Sequence, residues 1–229
     1  MDIHGLQKMT LLDFPGRVAC TVFLGGCDLR CPFCHNAELI DGSAPPVTDD
    51  TELLAFLKKR QGLLDGVAIT GGEPLLRDLS PLLTEIKALG YPVKLDTNGL
   101  HPDRLRALIE ARLVDYVAMD VKNSPARYAE TVGLESFDLT PVYESIALLL
   151  GGETEYEFRT TAVAELHDAA SFTAIGEMIR GAGQYYIQPF TDRDTVIFSG
   201  LHAPSREVLE SYKNAAEPFV SRVSIRGAE

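Results

Sequence analysis

The sequence has little of what marks secreted, membrane-spanning or nucleic-acid-binding proteins. Among 229 residues there are four cysteines and no tryptophan, and 33 acidic residues outnumber 21 lysines and arginines, which gives a net charge of −12. Four cysteines are too few for a disulfide scaffold in a chain of this length, and an acidic chain is a poor partner for nucleic acid or an anionic membrane. No apolar run is long enough to span a bilayer, and none resembles a targeting signal. We therefore expect a soluble, cytoplasmic protein with no nucleic-acid or membrane partner.

What the sequence does have is a regular alternation of predicted strands and helices. Apolar, β-branched runs predict six buried strands, at 18–24, 66–70, 91–97, 114–121, 156–163 and 185–190. Amphipathic segments follow them, with helix starts near Asp49, Ser80, Pro102, Thr140, Ala169 and Pro204, and residues 221–225 suit an edge strand. Six βα units imply an α/β fold, either a doubly wound parallel sheet or a barrel-like arc short of the eight units that close a barrel. No linker divides the chain, so we predict a single domain over 1–229.

Polar motifs follow the predicted strands at the same end of each. A cysteine-containing loop follows the first strand, GGEP (71–74) the second, DTNG (96–99) the third and MDVK (119–122) the fourth, while Arg159 lies within the fifth. Ligands bind at the carboxyl ends of the strands in both parallel architectures. We therefore expect these motifs to meet at one rim of the sheet.

Three of the four cysteines lie in the loop GGCDLRCPFCHN (25–36), with the spacing C-x3-C-x2-C. Cys20 lies mid-strand, roughly 13 Å below that loop at about 3.3 Å per residue, and is better read as a buried apolar residue than as a fourth ligand. Three thiolates with an open position suit a [4Fe–4S] cluster, because structural zinc sites usually have four ligands. A zinc site, or three thiols without metal, remains an alternative from the spacing alone.

The loop and its companion motifs resemble the radical S-adenosylmethionine (SAM) superfamily. The C-x3-C-x2-C spacing with an aromatic residue before the third cysteine, and the GGEP segment, are similar to motifs of that superfamily. CHN, LDTNG and MDVK resemble more narrowly the activating enzymes of glycyl-radical enzymes. The segments GLQKMTLLDFPGRVACTVFLGGC, VKLDTNG and LVDYVAMDVK are similar to the activating proteins of anaerobic ribonucleoside-triphosphate reductase. The resemblance implies a partial (βα)6 barrel of parallel strands.

The resemblance also implies two cofactors and their ligands. Cys27, Cys31 and Cys34 would hold a [4Fe–4S] cluster whose open iron binds SAM, and one electron from the cluster would cleave SAM to a 5′-deoxyadenosyl radical. The implied cofactor-binding residues are Phe33, Cys34, His35, Gly71, Gly72, Glu73, Pro74, Asp96, Asn98, Asp120, Lys122 and Arg159.

Some of these residues have more specific implied roles. Glu73 would hold the amino group of SAM, and Asp120, Lys122 and Arg159 would face its ribose and carboxylate. The matching aspartates of formate-lyase activating relatives help form a monovalent cation site, which the resemblance extends to Asp96 and Asp120. Asp13 is a candidate on the substrate side, because in the family the N-terminal segment lies near the substrate glycine.

Each motif also has a simpler reading. GGEP and the Asn-Gly pair could be turns, and Asp120 and Lys122 could be an exposed ion pair. His4, His101, His167 and His202 show no partner spacing, and we read them as surface residues.

Three functions follow from these observations. The first is a radical SAM activase that makes a glycyl radical on the large subunit of anaerobic ribonucleotide reductase, with a flavodoxin or ferredoxin as low-potential electron donor. The second is a radical SAM enzyme acting on a small molecule or on another glycyl-radical enzyme, such as pyruvate formate-lyase. The third is a zinc-stabilised or electron-transfer α/β protein without SAM chemistry.

Overall fold

The computed structural model describes residues 1–40, 43–193, 195–196 and 198–227. Its main sheet has eight strands, with the order β2-β3-β5-β6-β7-β8-β9-β10. In chain order, the strands of the described residues are β1 (Asp2–Ile3), β2 (Gly5–Thr10), β3 (Ala19–Leu24), β4 (Thr48–Asp49), β5 (Gly66–Gly71), β6 (Val93–Thr97), β7 (Tyr116–Asp120), β8 (Glu155–Ala162), β9 (Tyr185–Pro189) and β10 (Val223–Ile225).

Neighbouring strands of the main sheet are parallel from β3 to β10, and β2 pairs antiparallel to β3 at one edge. Because the order in the sheet follows the order in the chain, every crossover steps in the same direction. Right-handed crossovers then place the helices on one side of the sheet, as in a barrel, whereas a doubly wound sheet reverses direction part-way. Strands β2 and β10 are its edges. This α/β architecture agrees with the predicted arc of six parallel βα units.

Six of the eight helices of the described residues begin within two residues of a predicted start, and the two four-residue helices were not predicted. The helices are α1 (Ala37–Ile40), α2 (Asp50–Lys59), α3 (Ser80–Ala88), α4 (Pro102–Glu110), α5 (Tyr128–Thr131), α6 (Thr140–Leu150), α7 (Ala169–Met178) and α8 (Arg206–Ala216), with 3₁₀ turns at Pro74–Leu76 and Pro125–Arg127. The Asp49 carboxylate caps α2 by accepting the Glu52 backbone N–H at 2.9 Å. The Asp168 carboxylate caps α7 in the same way, by accepting the Ser171 N–H at 2.7 Å.

The core lies between the sheet and the apolar stripes of the helices. Val67, Ile69 and Leu95 on the strands are fully buried, as are Leu53 and Leu57 on α2. Fully burying one such side chain stabilises the fold by about 1.5–3 kcal/mol. This layer fixes the directions of the strands and therefore the positions of the side chains at their carboxyl ends.

The structure adds two features that the sequence reading lacked. Strand β2 was not predicted, since GLQKMT has no apolar run and three of its six residues are exposed. The two-residue strands β1 and β4 form a small separate antiparallel sheet, which is too short to leave a sequence pattern. The predicted edge strand is present as β10, parallel to β9.

Within the residues that the structure describes, no helix is long and apolar enough to cross a membrane.

Candidate active site

The carboxyl ends of β3 and β5–β8 surround one cavity of about 230 Å³. The expectation that the strand-end motifs meet is therefore confirmed for most of them. The predicted residues that line the cavity are Cys27, Cys31, Phe33, Cys34, His35, Gly71, Gly72, Asp96, Asn98, Asp120, Lys122 and Arg159. Glu73, Pro74 and Asp13 do not line it.

All three cysteines of the loop 25–36 line the cavity, and Cys20 does not. Cys31 is buried, while Cys27 and Cys34 are half-buried, and all four cysteines are free thiols. In the described residues, no three His, Cys, Asp or Glu side chains are gathered closely enough to form a ready-made metal site. Three soft thiol donors on one cavity wall nevertheless fit an iron–sulfur cluster by their chemistry.

Cys20 belongs to the core. Its side chain is fully buried in β3, where it is paired in register with Val67 of β5. Burial raises the pKa of its thiol to about 12. The prediction that Cys20 is a small apolar residue rather than a fourth ligand agrees with this position.

Contacts from distant parts of the chain hold the loop 25–36 in place. The Gly25 N–H donates to His4 Nδ1 at 3.2 Å, and the Gly25 carbonyl accepts from Arg77 at 2.6 Å. His101 Nε2 lies 2.9 Å from the Asp28 carboxylate. The sequence reading placed His4 and His101 on the surface without partners, and this was wrong because spacing along the chain does not reveal contacts across the fold.

The two glycines of GGEP let β5 pack directly on the cysteine loop. A Cβ on Gly72 would lie 1.9 Å from the Gly26 carbonyl oxygen, and a Cβ on Gly71, whose φ is +120°, would lie 2.3 Å from the Leu24 carbonyl oxygen. The Gly72 N–H donates to the Leu24 carbonyl at 2.8 Å. The absence of side chains at both positions is therefore required by the fold as well as by access to the cavity.

Glu73 lies behind the cavity wall, fully buried. Its carboxylate accepts hydrogen bonds from the Leu75 N–H at 2.9 Å, the Thr97 hydroxyl at 2.9 Å and the Asn98 N–H at 2.7 Å. Burial raises the pKa of Glu73 to about 7, although these three donors work in the opposite direction. The carboxylate expected to meet the SAM amino group instead links β5 to the end of β6 in this structure. Pro74 is buried as the first residue of the following 3₁₀ turn.

A network of charged side chains forms the floor of the cavity. Arg159 donates through Nε to Asp120 at 3.0 Å and through a terminal nitrogen to Asp96 at 3.3 Å. Lys122 donates to the other oxygen of Asp120 at 3.0 Å, and Lys94 donates to the other oxygen of Asp96. The two aspartates are thus bridged by Arg159, and each also has a lysine of its own.

This network keeps both aspartates ionised. Desolvation works to raise the pKa of Asp120, but Arg159 and Lys122 outweigh it and lower the pKa to about 2. For Asp96, Arg159 and Lys94 likewise outweigh desolvation, so its pKa also lies below the ordinary value. The reading of Asp120 and Lys122 as an isolated exposed ion pair is wrong, because their side chains are only 29% and 16% exposed and Arg159 completes the group.

The remaining predicted residues line the sides of the cavity. Phe33 is buried, and the His35 ring stacks on Phe190 with the ring centroids 5.7 Å apart. His35 Nε2 is also 2.6 Å from the Thr191 carbonyl. The segment after β9 therefore contributes to the site by holding the His35 ring.

Asn98 links the end of β6 to the cysteine loop. Its side-chain amide nitrogen lies 3.9 Å from Cys27 Sγ, and its side-chain oxygen accepts the Leu100 N–H at 3.0 Å.

The structure corrects the prediction for Asp13. This residue lies between β2 and β3, at the end of the sheet opposite to the cysteine loop, and its carboxylate accepts the Thr21 hydroxyl at 2.6 Å. A residue that precedes β3 enters the sheet at the amino ends of the strands, so Asp13 cannot share the rim reached by the residues that follow those strands.

The sequence reading missed two buried residues that contact members of the charged network. Lys94 interrupts the apolar strand VKL two residues before Asp96, and its side chain is only 2% exposed. His167 was read as a surface residue but is buried, with Nε2 2.9 Å from the Lys122 carbonyl. A lysine within a buried apolar strand could have been recognised from the sequence, since a buried ammonium group needs a hydrogen-bonded or charged partner. The position of His167 carried no such signal.

The pattern that defines the radical SAM superfamily matches residues 21–169, about two-thirds of the chain. The chain belongs to this superfamily. Membership implies a [4Fe–4S] cluster and SAM, and the three cysteines together with the cavity beside them fit both cofactors. The zinc or electron-transfer alternative without SAM chemistry does not agree with this membership.

Curated relatives of this radical SAM protein include enzymes of different activities. It is 28% identical, over 98% of its length and 95% of the relative's, to "Putative glycyl-radical enzyme activating enzyme MJ1227" of Methanocaldococcus jannaschii. It is 32% identical to a pyruvate formate-lyase-activating enzyme of Clostridium pasteurianum, over 53% of this chain and 52% of the relative. It is also 27% identical to a 7-carboxy-7-deazaguanine synthase of Thermococcus kodakarensis, over 88% of this chain and 82% of the relative.

Solved structures share the fold at low sequence identity. Streptococcus suis SuiB bound to the precursor peptide SuiA matches with a TM-score of 0.71 and 13% identity, over 91% of this chain and 48% of SuiB. Escherichia coli QueE matches with a TM-score of 0.56 and 18% identity, over 98% of this chain and 93% of QueE. These likenesses concern the arrangement of strands and helices.

Proposed function

We propose that this radical SAM protein is a glycyl-radical enzyme activase whose substrate is a glycine of anaerobic ribonucleoside-triphosphate reductase. The observation that carries the proposal is the cavity that three cysteine thiols share with the network of Asp96, Arg159, Asp120 and Lys122. The M. jannaschii relative, similar over 98% of the chain, supports the activase class. The segments GLQKMTLLDFPGRVACTVFLGGC and VKLDTNG, which resemble reductase activases, support the partner.

The residues of the cavity have distinct roles in this proposal. Cys27, Cys31 and Cys34 would hold the cluster, and Lys122 and Arg159 on the floor of the cavity would bind the carboxylate of SAM. Phe33 and His35 would contact the adenine, and the lack of side chains at Gly71 and Gly72 would leave room for the methionine end. When bound, the cluster and SAM supply the electron and the radical chemistry, while the protein supplies binding and orientation.

Two wider features of the chain support a protein substrate and a single domain. The main sheet keeps two edges, at β2 and β10, so a flexible loop of a partner has a route past the unclosed wall. Residues 1–229 form one domain in this proposal, because strands on both sides of the matched span 21–169 belong to the same sheet. A low-potential flavodoxin or ferredoxin is the electron donor in the proposal.

The test is anaerobic and has two stages. Protein reconstituted with iron and sulfide is reduced and given SAM, and 5′-deoxyadenosine is measured. The glycyl-radical doublet is then sought by electron paramagnetic resonance after the large subunit of the reductase is added. No 5′-deoxyadenosine from cluster-loaded protein contradicts the radical SAM activity, and cleavage without a doublet on the reductase contradicts the proposed partner.

A second candidate has support from the similarity to 7-carboxy-7-deazaguanine synthases, which covers 88% of the chain in the T. kodakarensis relative. In that case the same cavity would hold a small molecule instead of a glycine loop. Detection of 7-carboxy-7-deazaguanine as a product, with no radical on either the reductase or pyruvate formate-lyase, would favour this function over the activase.

A further inference from the structure

The carboxylates expected to form a monovalent cation site, Asp96 and Asp120, already have cationic partners. One oxygen of each accepts from Arg159, at 3.3 Å for Asp96 and 3.0 Å for Asp120. The second oxygen of Asp120 accepts from Lys122 at 3.0 Å, and the second oxygen of Asp96 accepts from Lys94. All four carboxylate oxygens therefore face a nitrogen of a positively charged side chain. The pair does not fit a further cation.

The charge of the network leads to the same conclusion. Three cationic side chains and two carboxylates leave one positive charge in excess, in a site of low exposure. A monovalent metal ion would increase this excess and lie beside ammonium and guanidinium groups that repel it. An anionic group, such as the carboxylate of SAM in the proposed function, would neutralise it.

Lys94 is placed to act as a built-in cation. Lys94 and Asp96 are two apart on β6, so their side chains lie on the same face of the strand. The Lys94 side chain is only 2% exposed and is not among the residues that line the cavity, so its ammonium meets Asp96 from beneath. A lysine ammonium is a compact point charge, as a potassium ion is, but it is fixed to the chain and cannot exchange with solvent.

We propose that the Lys94 ammonium takes the place of a monovalent metal ion beside Asp96, so that this protein binds SAM without potassium or sodium. The inference rests on the proposed function in that it takes SAM as the ligand. It does not depend on which protein or molecule is the substrate.

The experiment compares SAM affinity and thermal stability of the cluster-loaded protein in choline chloride and in potassium chloride at equal ionic strength. Wild-type protein is expected to bind SAM with dissociation constants that agree within about twofold in the two salts. K94M is expected to bind SAM at least about tenfold more weakly in choline chloride, with potassium or ammonium restoring most of the affinity. The melting temperature of K94M without SAM should also rise when potassium replaces choline, because the ion fills the gap beside Asp96.

The matched control is K87M. Lys87 also donates to an aspartate, Asp115, at 2.6 and 2.7 Å, but neither residue lines the cavity. K87M should bind SAM equally in both salts.

Two outcomes overturn the inference. One is wild-type protein that loses SAM affinity in choline chloride, which needs no variant to observe. The other is a folded K94M protein whose SAM affinity and melting temperature respond to potassium no more than those of K87M. Failure to form a glycyl radical on the reductase, with SAM binding as described, would contradict the proposed partner and leave the assignment of Lys94 intact.

Discussion

Three carboxylates near the cavity illustrate how the surroundings of a single residue set its charge. Asp96 and Asp120 lie between cationic side chains and stay ionised, whereas Glu73 is fully buried with neutral donors alone as hydrogen-bond partners. Burying a carboxylate without a counter-charge favours its protonated form. Glu73 is therefore the one of these three carboxyl groups whose ionisation falls close to neutral pH, with a pKa of about 7.

The stability of the protein should reflect the titration of Glu73. An acid whose pKa is raised by folding contributes stability below its unfolded pKa and loses it as the pH rises through the folded pKa. Relative to E73Q, the wild-type free energy of unfolding should fall by about 3 kcal/mol between pH 4.5 and pH 7, at 1.36 kcal/mol per unit of pKa shift. Urea denaturation of both proteins across this range measures the difference. E85Q, at an exposed position of α3, should follow the wild type, and a constant gap between E73Q and wild type would contradict the assignment.

The four cysteines should respond differently to substitution. C31S removes a thiol that lines the cavity and should abolish or strongly reduce the bound iron and sulfide after reconstitution. C20S should keep the cluster, because Cys20 lies in the core of β3, at a cost of about 1–3 kcal/mol for a buried hydroxyl. Iron analysis and the visible absorption of the cluster measure the first effect, and urea denaturation measures the second. Loss of the cluster from folded C20S protein would contradict this prediction and would indicate that Cys20 is a ligand of the cluster.

At the residue scale, the sequence predicted where the site residues lie in the fold better than it predicted which side chains they contact. The position of Asp96 and Asp120 at strand ends was enough to predict that they meet. Their bridging by Arg159, and the pairing of Asp96 with Lys94, depend on side-chain directions that a motif does not contain. The inward turn of Glu73 was also hidden, because it follows from the unusual backbone at Gly71 and from the close packing on the cysteine loop.

At the scale of elements, the edge strand β10 is fastened to the sheet by a residue just beyond its end. Arg226 donates to both oxygens of the buried Glu157 on β8, at 2.9 Å each, and its guanidinium lies 3.5 Å over the Tyr186 ring of β9. The Tyr116 hydroxyl of β7 also donates to Glu157, at 2.8 Å. One charged pair thus connects four neighbouring strands.

Removing Arg226 should therefore destabilise the whole sheet edge. R226M removes the guanidinium that pairs with the fully buried Glu157 carboxylate, and breaking a buried pair in this way typically costs 3–5 kcal/mol. R222M, at an exposed position just before β10, should change stability by less than about 0.5 kcal/mol. Denaturation midpoints of the two variants test this, and equal midpoints would show that the pair contributes little. Protease sensitivity of the C-terminal segment should increase in R226M alone.

The elements that the sequence predicted best are those buried on both faces. The runs 18–24 and 66–70 are near-continuous apolar segments, and the structure has strands there within a residue at each end. Strand β2 escaped prediction because Gln7, Lys8 and Met9 are exposed, and pairing with β3 rather than apolar burial defines it. An edge strand of this kind is defined by its hydrogen bonds to a neighbouring strand, which the local pattern of apolar residues cannot reveal.

At the scale of the whole molecule, the residues that line the cavity and the residues that only stabilise the fold lie at opposite ends of the parallel sheet. The cavity-lining residues from the strands come from the carboxyl-terminal half of each strand, next to the loops, which are free to vary and to carry ligands. The opposite end holds the β2–β3 connection, with Asp13 bonded to the buried Thr21 and with Leu11 and Leu12 exposed. Because all these strands run in the same direction, the rim at their carboxyl ends could be predicted as the site from the sequence alone.

This polarity makes a prediction for Asp13, the one candidate residue at the amino ends of the strands. D13A deprives the Thr21 hydroxyl, in a side chain only 1% exposed, of its acceptor, which should cost about 1–3 kcal/mol of stability. SAM cleavage at a temperature where the variant is folded should match the wild type, because Asp13 does not line the cavity. D120N at the carboxyl ends should instead weaken SAM binding, because Lys122 and Arg159 lose the shared partner that holds them in place. Urea denaturation, SAM affinity and 5′-deoxyadenosine yield distinguish the two. A large loss of SAM cleavage in folded D13A would mean that the amino end of the sheet takes part in the reaction, against the separation described here.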